Sequence, residues 1–185
     1  MIQSAPPLGP KVFGTLGRFA RNTRGATIVE FAIVALPFFA ILFAVLSASL
    51  TFFAQQSIET VTATLGRSLL TGETRAGTMT KAQFKALACA KLPPYLRCSN
   101  LLVSVDRSSD FASVSTAAPA VTFAPNGAVI DSAPYNLGAA GDILTLRLFY
   151  VWPLPSISLG FDLSTLPNGR RLLIATSVTK TEQYS

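Results

Sequence analysis

The chain has 185 residues, half of them hydrophobic and only 13% charged, about half the charged share usual in soluble domains, which excludes a disordered chain. It contains no histidine and two cysteines, so Ser/His/Asp and Cys/His catalysis, histidine zinc sites and four-thiolate sites are excluded; no phosphate-cradling glycine loop is present either, and the expectation is no catalytic residue, no cofactor and no metal. The net charge of +6 divides into +4 over residues 1–25, −1 over 26–54 and +3 over 55–185, a basic N-terminal flank that suits a membrane surface rather than nucleic acid.

The flank carries Lys11, Arg18, Arg21 and Arg24 and no acid. From Phe31 to Ile58 there is no charged residue, and the block Phe31 to Ala54 is predominantly apolar. At ~1.5 Å per residue it reaches about 36 Å, enough to cross a hydrocarbon core of about 30 Å. One transmembrane helix over 26–54 is predicted. Pro37 lacks a backbone donor, which predicts a kink or a short melted stretch near residues 33–37. Positive-inside logic puts the N-terminus in the cytoplasm and residues 55–185 outside. A competing reading is a secretory signal with Phe31 to Leu46 as its apolar region and Ser47-Ala48-Ser49 as a cleavage site. Against it, the apolar run continues through Leu50, Phe52, Phe53 and Ala54.

A carboxylate precedes this run. Glu30 would cost up to ~3 kcal/mol at the bilayer centre, and less at the interface. It closes the octet Arg24-Gly25-Ala26-Thr27-Ile28-Val29-Glu30-Phe31, which resembles the processing site of type IV prepilins. That resemblance implies a membrane-embedded prepilin peptidase cutting between Gly25 and Ala26, and Glu30 as fifth residue of the mature chain. The spacing has a physical basis, because residues four apart share a helix face and the carboxylate can meet the new Ala26 ammonium, its own or a neighbouring subunit's. An unpaired Glu30 in an apolar bundle would be costly, which makes the pair a register device. The blander reading is a flexible join at Gly25 and a snorkelling Glu30.

Gly25-Ala26 followed by Glu30-Phe31, with Pro37 early in the apolar run, resembles the TadE-like pseudopilins of tight-adherence (Tad or Flp) pilus systems. The C-terminus is partly similar to theirs at Val178, Lys180, Glu182 and Tyr184 and departs at Thr179, Thr181 and Gln183, so the TadE-, TadF- and TadG-like branches stay open; Tyr150-Val151-Trp152-Pro153 is similar to their aromatic-rich strand. The resemblance implies a pilin-like fold and a minor pseudopilin of the bacterial inner membrane. It would span the membrane once, with its C-terminal domain periplasmic or carried outside in a pilus used for adhesion. The implied partners are the membrane, the prepilin peptidase, other pilin and pseudopilin subunits and, indirectly, the assembly platform and ATPase; neither nucleic acid nor a small-molecule substrate is expected. The alternative of a different class is a signal-anchored periplasmic binding or structural domain outside any pilus.

Beyond the membrane, Ile58, Val61, Leu65 and Leu69 form a helical stripe, so the helix is predicted to continue as a stem to about residue 70, with Gly72 as a stop. Thr80 and Gln83 fit a capping box for a helix over Lys81 to Lys91 with Phe84, Leu87 and Ala88 on one side, ended by Pro93-Pro94. Cys89 and Cys98 are expected to pair in an oxidising compartment, the closed loop contributing roughly 2 to 3 kcal/mol. Strands are predicted over Leu101 to Asp106, Ala120 to Phe123, Asp142 to Trp152 and Arg171 to Lys180. The third is apolar on both faces and therefore central. Turn residues such as Ser115, Thr116, Pro119, Asn126-Gly127, Pro134 and Asn168-Gly169 mark loops, and Arg170-Arg171 reads as a solvated basic corner. Residues 55–185 suit one compact unit. The predicted fold is α+β: a long N-terminal transmembrane and stem helix packed on a small antiparallel sheet.

Overall fold

The computed structural model describes residues 25–71, 79–114, 121–139, 141–154 and 162–181. The basic leader, Gly72, Ser115, Thr116, Pro119 and the C-terminal residues Glu182, Gln183 and Tyr184 lie outside the described residues. The chain divides into two compact units, Met1–Val45 and Leu46–Ser185.

In the first unit the described residues belong to helix α1, which spans Ala26–Leu70 and carries Pro37 in its interior. The helix is continuous through residues 33–37, so of the expected kink or melted stretch the melted stretch is absent. Proline removes one N–H, and its fixed φ is already that of a helix. The surrounding Ala, Leu, Phe and Ile supply enough helix propensity and bonds on either side to carry the chain through one missing link. The apolar side chains of this unit point outward: Phe31, Ile33 and Leu36 are 72%, 68% and 69% exposed. Phe38 meets Phe39 edge-on at 5.4 Å.

The second unit begins with the rest of α1, the stem. Ile58, Val61, Leu65 and Leu69 are buried as their spacing requires, joined by Thr51, Ala54, Thr62 and Gly66. Most stem hydroxyls bond to their own helix. Thr51, Ser57, Thr60, Thr62 and Thr64 each donate Oγ–H to the carbonyl four residues back, at 2.7 to 2.9 Å, the pattern by which Ser and Thr satisfy themselves inside helices.

Helix α2 covers Lys81–Ala90. Thr80 caps it as the sequence pattern requires: the Gln83 amide N donates to Thr80 Oγ1 and the Thr80 amide N donates to Gln83 Oε1 at 2.8 Å. Phe84 and Ala88 are buried. A disulfide joins Cys89 to Cys98 with Cα atoms 5.3 Å apart, and Cys98–Asn100 form a 3₁₀ turn leading into the sheet.

Strands β1 (Leu101–Ser108), β4 (Ile143–Pro153) and β5 (Arg170–Lys180) form an antiparallel sheet in the order β1-β4-β5. β4 is central, as its two apolar faces demand. Leu101 faces Tyr150, Val103 faces Leu148 and Val105 faces Leu146 across one edge, while Ala175 faces Leu148 and Leu173 faces Tyr150 across the other. These residues share the face that builds the main core with Ile58, Leu65 and Phe84. On the opposite face Leu102, Phe149 and Val151 form a second cluster, covered by Phe123, Val129 and Leu172.

Strands β2 (Thr122–Phe123) and β3 (Val129–Ile130) make a two-stranded ribbon turned at Gly127, whose φ is +78°. β3 was not among the predicted strands, since two residues show no alternation. Asn168 and Gly169, at φ +64° and +63°, turn the chain into β5, a backbone that Asn and Gly accept most readily.

The stem meets β5 at close range. A Cβ placed on Gly66 would lie 2.4 Å from Ser177 Oγ and 3.1 Å from Ser177 Cβ, so only glycine allows this approach without movement. Gln55 Nε2 donates to the Ile174 carbonyl at 2.8 Å. The whole is the expected α+β arrangement, a long N-terminal helix packed on small antiparallel sheets.

Candidate functional site

The residues singled out in the N-terminal octet open α1. Ala26 is the first residue of the helix and Glu30 lies one turn on, followed by Phe31; all are exposed. Their spacing on a continuous helix puts Ala26 and Glu30 on one face. Gly25 directly precedes the helix, and a Cβ there would meet nothing within 4 Å. Packing among the described residues therefore does not call for glycine at this position. From Ala26 onward the helix contains an 18-residue window of mean hydropathy 2.6, none of it buried, long and apolar enough to cross a membrane. Leu46, Leu50, Phe52 and Phe53 continue the exposed apolar surface in the second unit.

The disulfide predicted at Cys89 and Cys98 is formed. Between its halves Leu96 is buried, and Tyr95 stacks on Phe53 at 5.4 Å while its hydroxyl shares a hydrogen bond with Ser57 Oγ. The closed loop thus clasps the stem. The Tyr150 hydroxyl accepts from the Arg97 amide N at 2.9 Å, tying the loop to the central strand as well.

Other polar arrangements were not read in the sequence. Arg147 lies in the middle of β4, with its side chain 9% exposed, and its Nη2 donates to Asp106 Oδ2 at 2.8 Å. Its Cζ also stands 5.8 Å from the centre of the Phe149 ring. A charged residue inside an otherwise apolar strand was the available signal, but its partner depends on the β1–β4 register. Arg170 and Arg171 are not the solvated turn expected of them. They begin β5, Arg170 stacks 4.9 Å over Phe123 and donates to the Gly127 carbonyl, and Arg171 donates to the Leu163 carbonyl. The fold of β2 and β3 over the sheet brings that aromatic to Arg170. Among the described residues no group of three or more His, Cys, Asp or Glu is placed to hold a metal.

The family model for TadE-like protein matches residues 25–67. Over this segment the chain is similar to the TadE-like family. The matched segment begins at Gly25 and contains the octet from that residue on, the apolar helix with Pro37 and the stem as far as Arg67. The partial C-terminal likeness falls outside it; there Thr181 is buried, its Oγ1 donating to the carbonyls of Ala139 and Asp142. Comparison with curated proteins finds no significant match, and neither does comparison with solved structures.

Proposed function

We propose that the chain is a minor pseudopilin of a Tad pilus, cut between Gly25 and Ala26 by a prepilin peptidase and held in the membrane by residues 26–54 until its helix is taken up into an assembly. The observation that carries this reading is the position of the TadE-like match, which starts at Gly25, one residue before an uninterrupted helix with an acid one turn in and apolar side chains directed outward. Cleavage at that point would liberate an ammonium at the first helical residue. In an apolar bundle the Glu30 carboxylate would meet it, or its counterpart on the next subunit, and an out-of-step neighbour would leave one charge unpaired. The chain is then a structural subunit that catalyses nothing: a substrate of the peptidase and a passenger of the assembly platform and ATPase. Its globular unit would lie on the periplasmic side, where Cys89 and Cys98 oxidise.

Intact mass and N-terminal sequencing of the protein recovered from cells with and without the peptidase test this. A mature chain starting at Ala26, and one retaining Met1 when the peptidase is deleted, are the expected results. An uncut chain in peptidase-competent cells would leave a signal-anchored envelope domain, and a start at Leu50 would mean a secretory signal.

A further inference from the structure

Some cations of the second unit are ion-paired and others are not. Toward the far end of the sheet Arg107 pairs with Asp142 at 2.8 Å, and Lys81–Asp131 at 2.6 Å and Arg147–Asp106 at 2.8 Å are further ion pairs of the unit, while Arg67, Lys91 and Lys180 make none among the described residues. At the other end, where Phe52 and Phe53 leave the stem exposed, stand Arg97, Arg170 and Arg171, none of which makes an ion pair among the described residues. Asp162, the acid of the adjoining segment, accepts from the Ser164 amide N instead.

Arg171 shares a cleft with Ala48, Thr51 and Phe52. Arg97 and Arg170 line a neighbouring cavity of about 400 Å³ together with Tyr95, Asn100 and Trp152. Each guanidinium carries five donors; the structure commits one of Arg170 and one of Arg171 to carbonyls, and it gives the Arg97 side chain no hydrogen bond among the described residues. Tyr and Trp beside cations at the end of an apolar helix are the side chains that settle at a membrane–water interface.

We infer that this end of the domain is a docking surface for anionic phospholipid headgroups, with Arg97, Arg170 and Arg171 receiving phosphates while Tyr95, Trp152 and Phe53 sit at the headgroup level. The inference rests on reading residues 26–54 as a membrane span. Charge complementarity and the continuity of the surface with the apolar helix select the lipid as occupant: arginine forks match phosphate oxygens, and the patch begins where the exposed apolar side chains end. It would hold the unit against the leaflet on its own side of the span before assembly lifts it away.

Trp152 is the only tryptophan and reports on the surface directly. The full-length chain is reconstituted into vesicles of phosphatidylcholine alone, or mixed with phosphatidylglycerol, with trace dansyl-headgroup lipid, and energy transfer from Trp152 is measured alongside flotation. Transfer is expected to rise with phosphatidylglycerol and to fall with salt. Arg97→Gln should shift the docked-to-undocked ratio roughly fivefold toward the undocked form. This variant carries the test because Arg170→Gln also removes the stacking on Phe123. A chain that floats but gives equal transfer in both lipids overturns the docking and leaves the span standing. Transfer that follows protein density rather than phosphatidylglycerol assigns the surface to a second copy and likewise overturns it. A chain that does not float overturns the span and the docking together.

Discussion

Replacing Gly66 by alanine tests the packing of stem on sheet, because two effects of opposite sign meet there. On a free helix surface Gly→Ala stabilises by roughly 1 kcal/mol, through helix propensity. Against β5 the new methyl would stand 2.4 Å from Ser177 Oγ, 3.1 Å from Ser177 Cβ and 3.8 Å from Thr179 Cγ2. Rotation of the hydroxyl relieves the first contact, but not the second, which belongs to a carbon fixed to the strand. Overpacking of this kind costs about 1 to 3 kcal/mol, so the net expectation is a loss of about 1 kcal/mol. For a unit of this size that lowers the melting temperature by about 4 °C. The assay is thermal unfolding of the full chain in detergent, followed by far-ultraviolet circular dichroism and by Trp152 fluorescence. Gly66→Ala combined with Ser177→Gly should recover most of the loss, since the obstructing carbon is then absent, and the non-additivity isolates the contact. A Gly66→Ala chain more stable than the parent would refute the close approach of stem and strand.

Four further predictions concern other sites. Glu30→Ala should leave membrane insertion intact while lowering incorporation into sheared pili; unchanged incorporation, scored by immunoblot, would contradict the assigned pairing. Cys89→Ser should lower stability by roughly 2 to 3 kcal/mol, and a parent chain that melts identically with and without reductant would remove the disulfide's role. Asp106→Ala removes a carboxylate partner of the buried Arg147 and should cost roughly 3 kcal/mol, whereas Arg147→Met should cost much less; equal losses in urea unfolding would argue against the pair. Burial pushes the Tyr135 hydroxyl up to about 12 from 10. The unfolded chain therefore ionises first, and the stability this residue contributes, intact below about pH 10, should be lost as pH rises toward 12, a dependence that Tyr135→Phe should flatten in alkaline unfolding curves.

The parts of the fold that were readable in sequence are those whose order is local. Ile58, Val61, Leu65 and Leu69 repeat at the helical period, Thr80 and Gln83 cap across one turn, and the two apolar faces of Ile143 to Trp152 demand a neighbour on each edge. The start of α1 at Ala26, with Glu30 one turn on, is local in the same way, whereas the partner proposed for Glu30 belongs to another molecule or to a cleaved terminus. What escaped depends on pairing across the chain. Nothing near Gly66 announces Ser177, 111 residues on. The Asp106–Arg147 pair exists only once β1 and β4 are in register, and Arg170 finds Phe123 only because a ribbon too short to show alternation folds over the sheet. The melted stretch that Pro37 could have caused is absent for the opposite reason: the apolar helix formers on both sides outweigh a local rule.

The hydroxyls along the stem have one more consequence. Thr60 and Thr64 look polar on the outside of the helix, yet each proton is already engaged by a carbonyl of the preceding turn. Such a surface makes few demands on what touches it. A rod that carries its own hydrogen-bond partners is free to pass from water into a crowd of sister rods without leaving a donor stranded, so its polarity presents no obstacle to changing company.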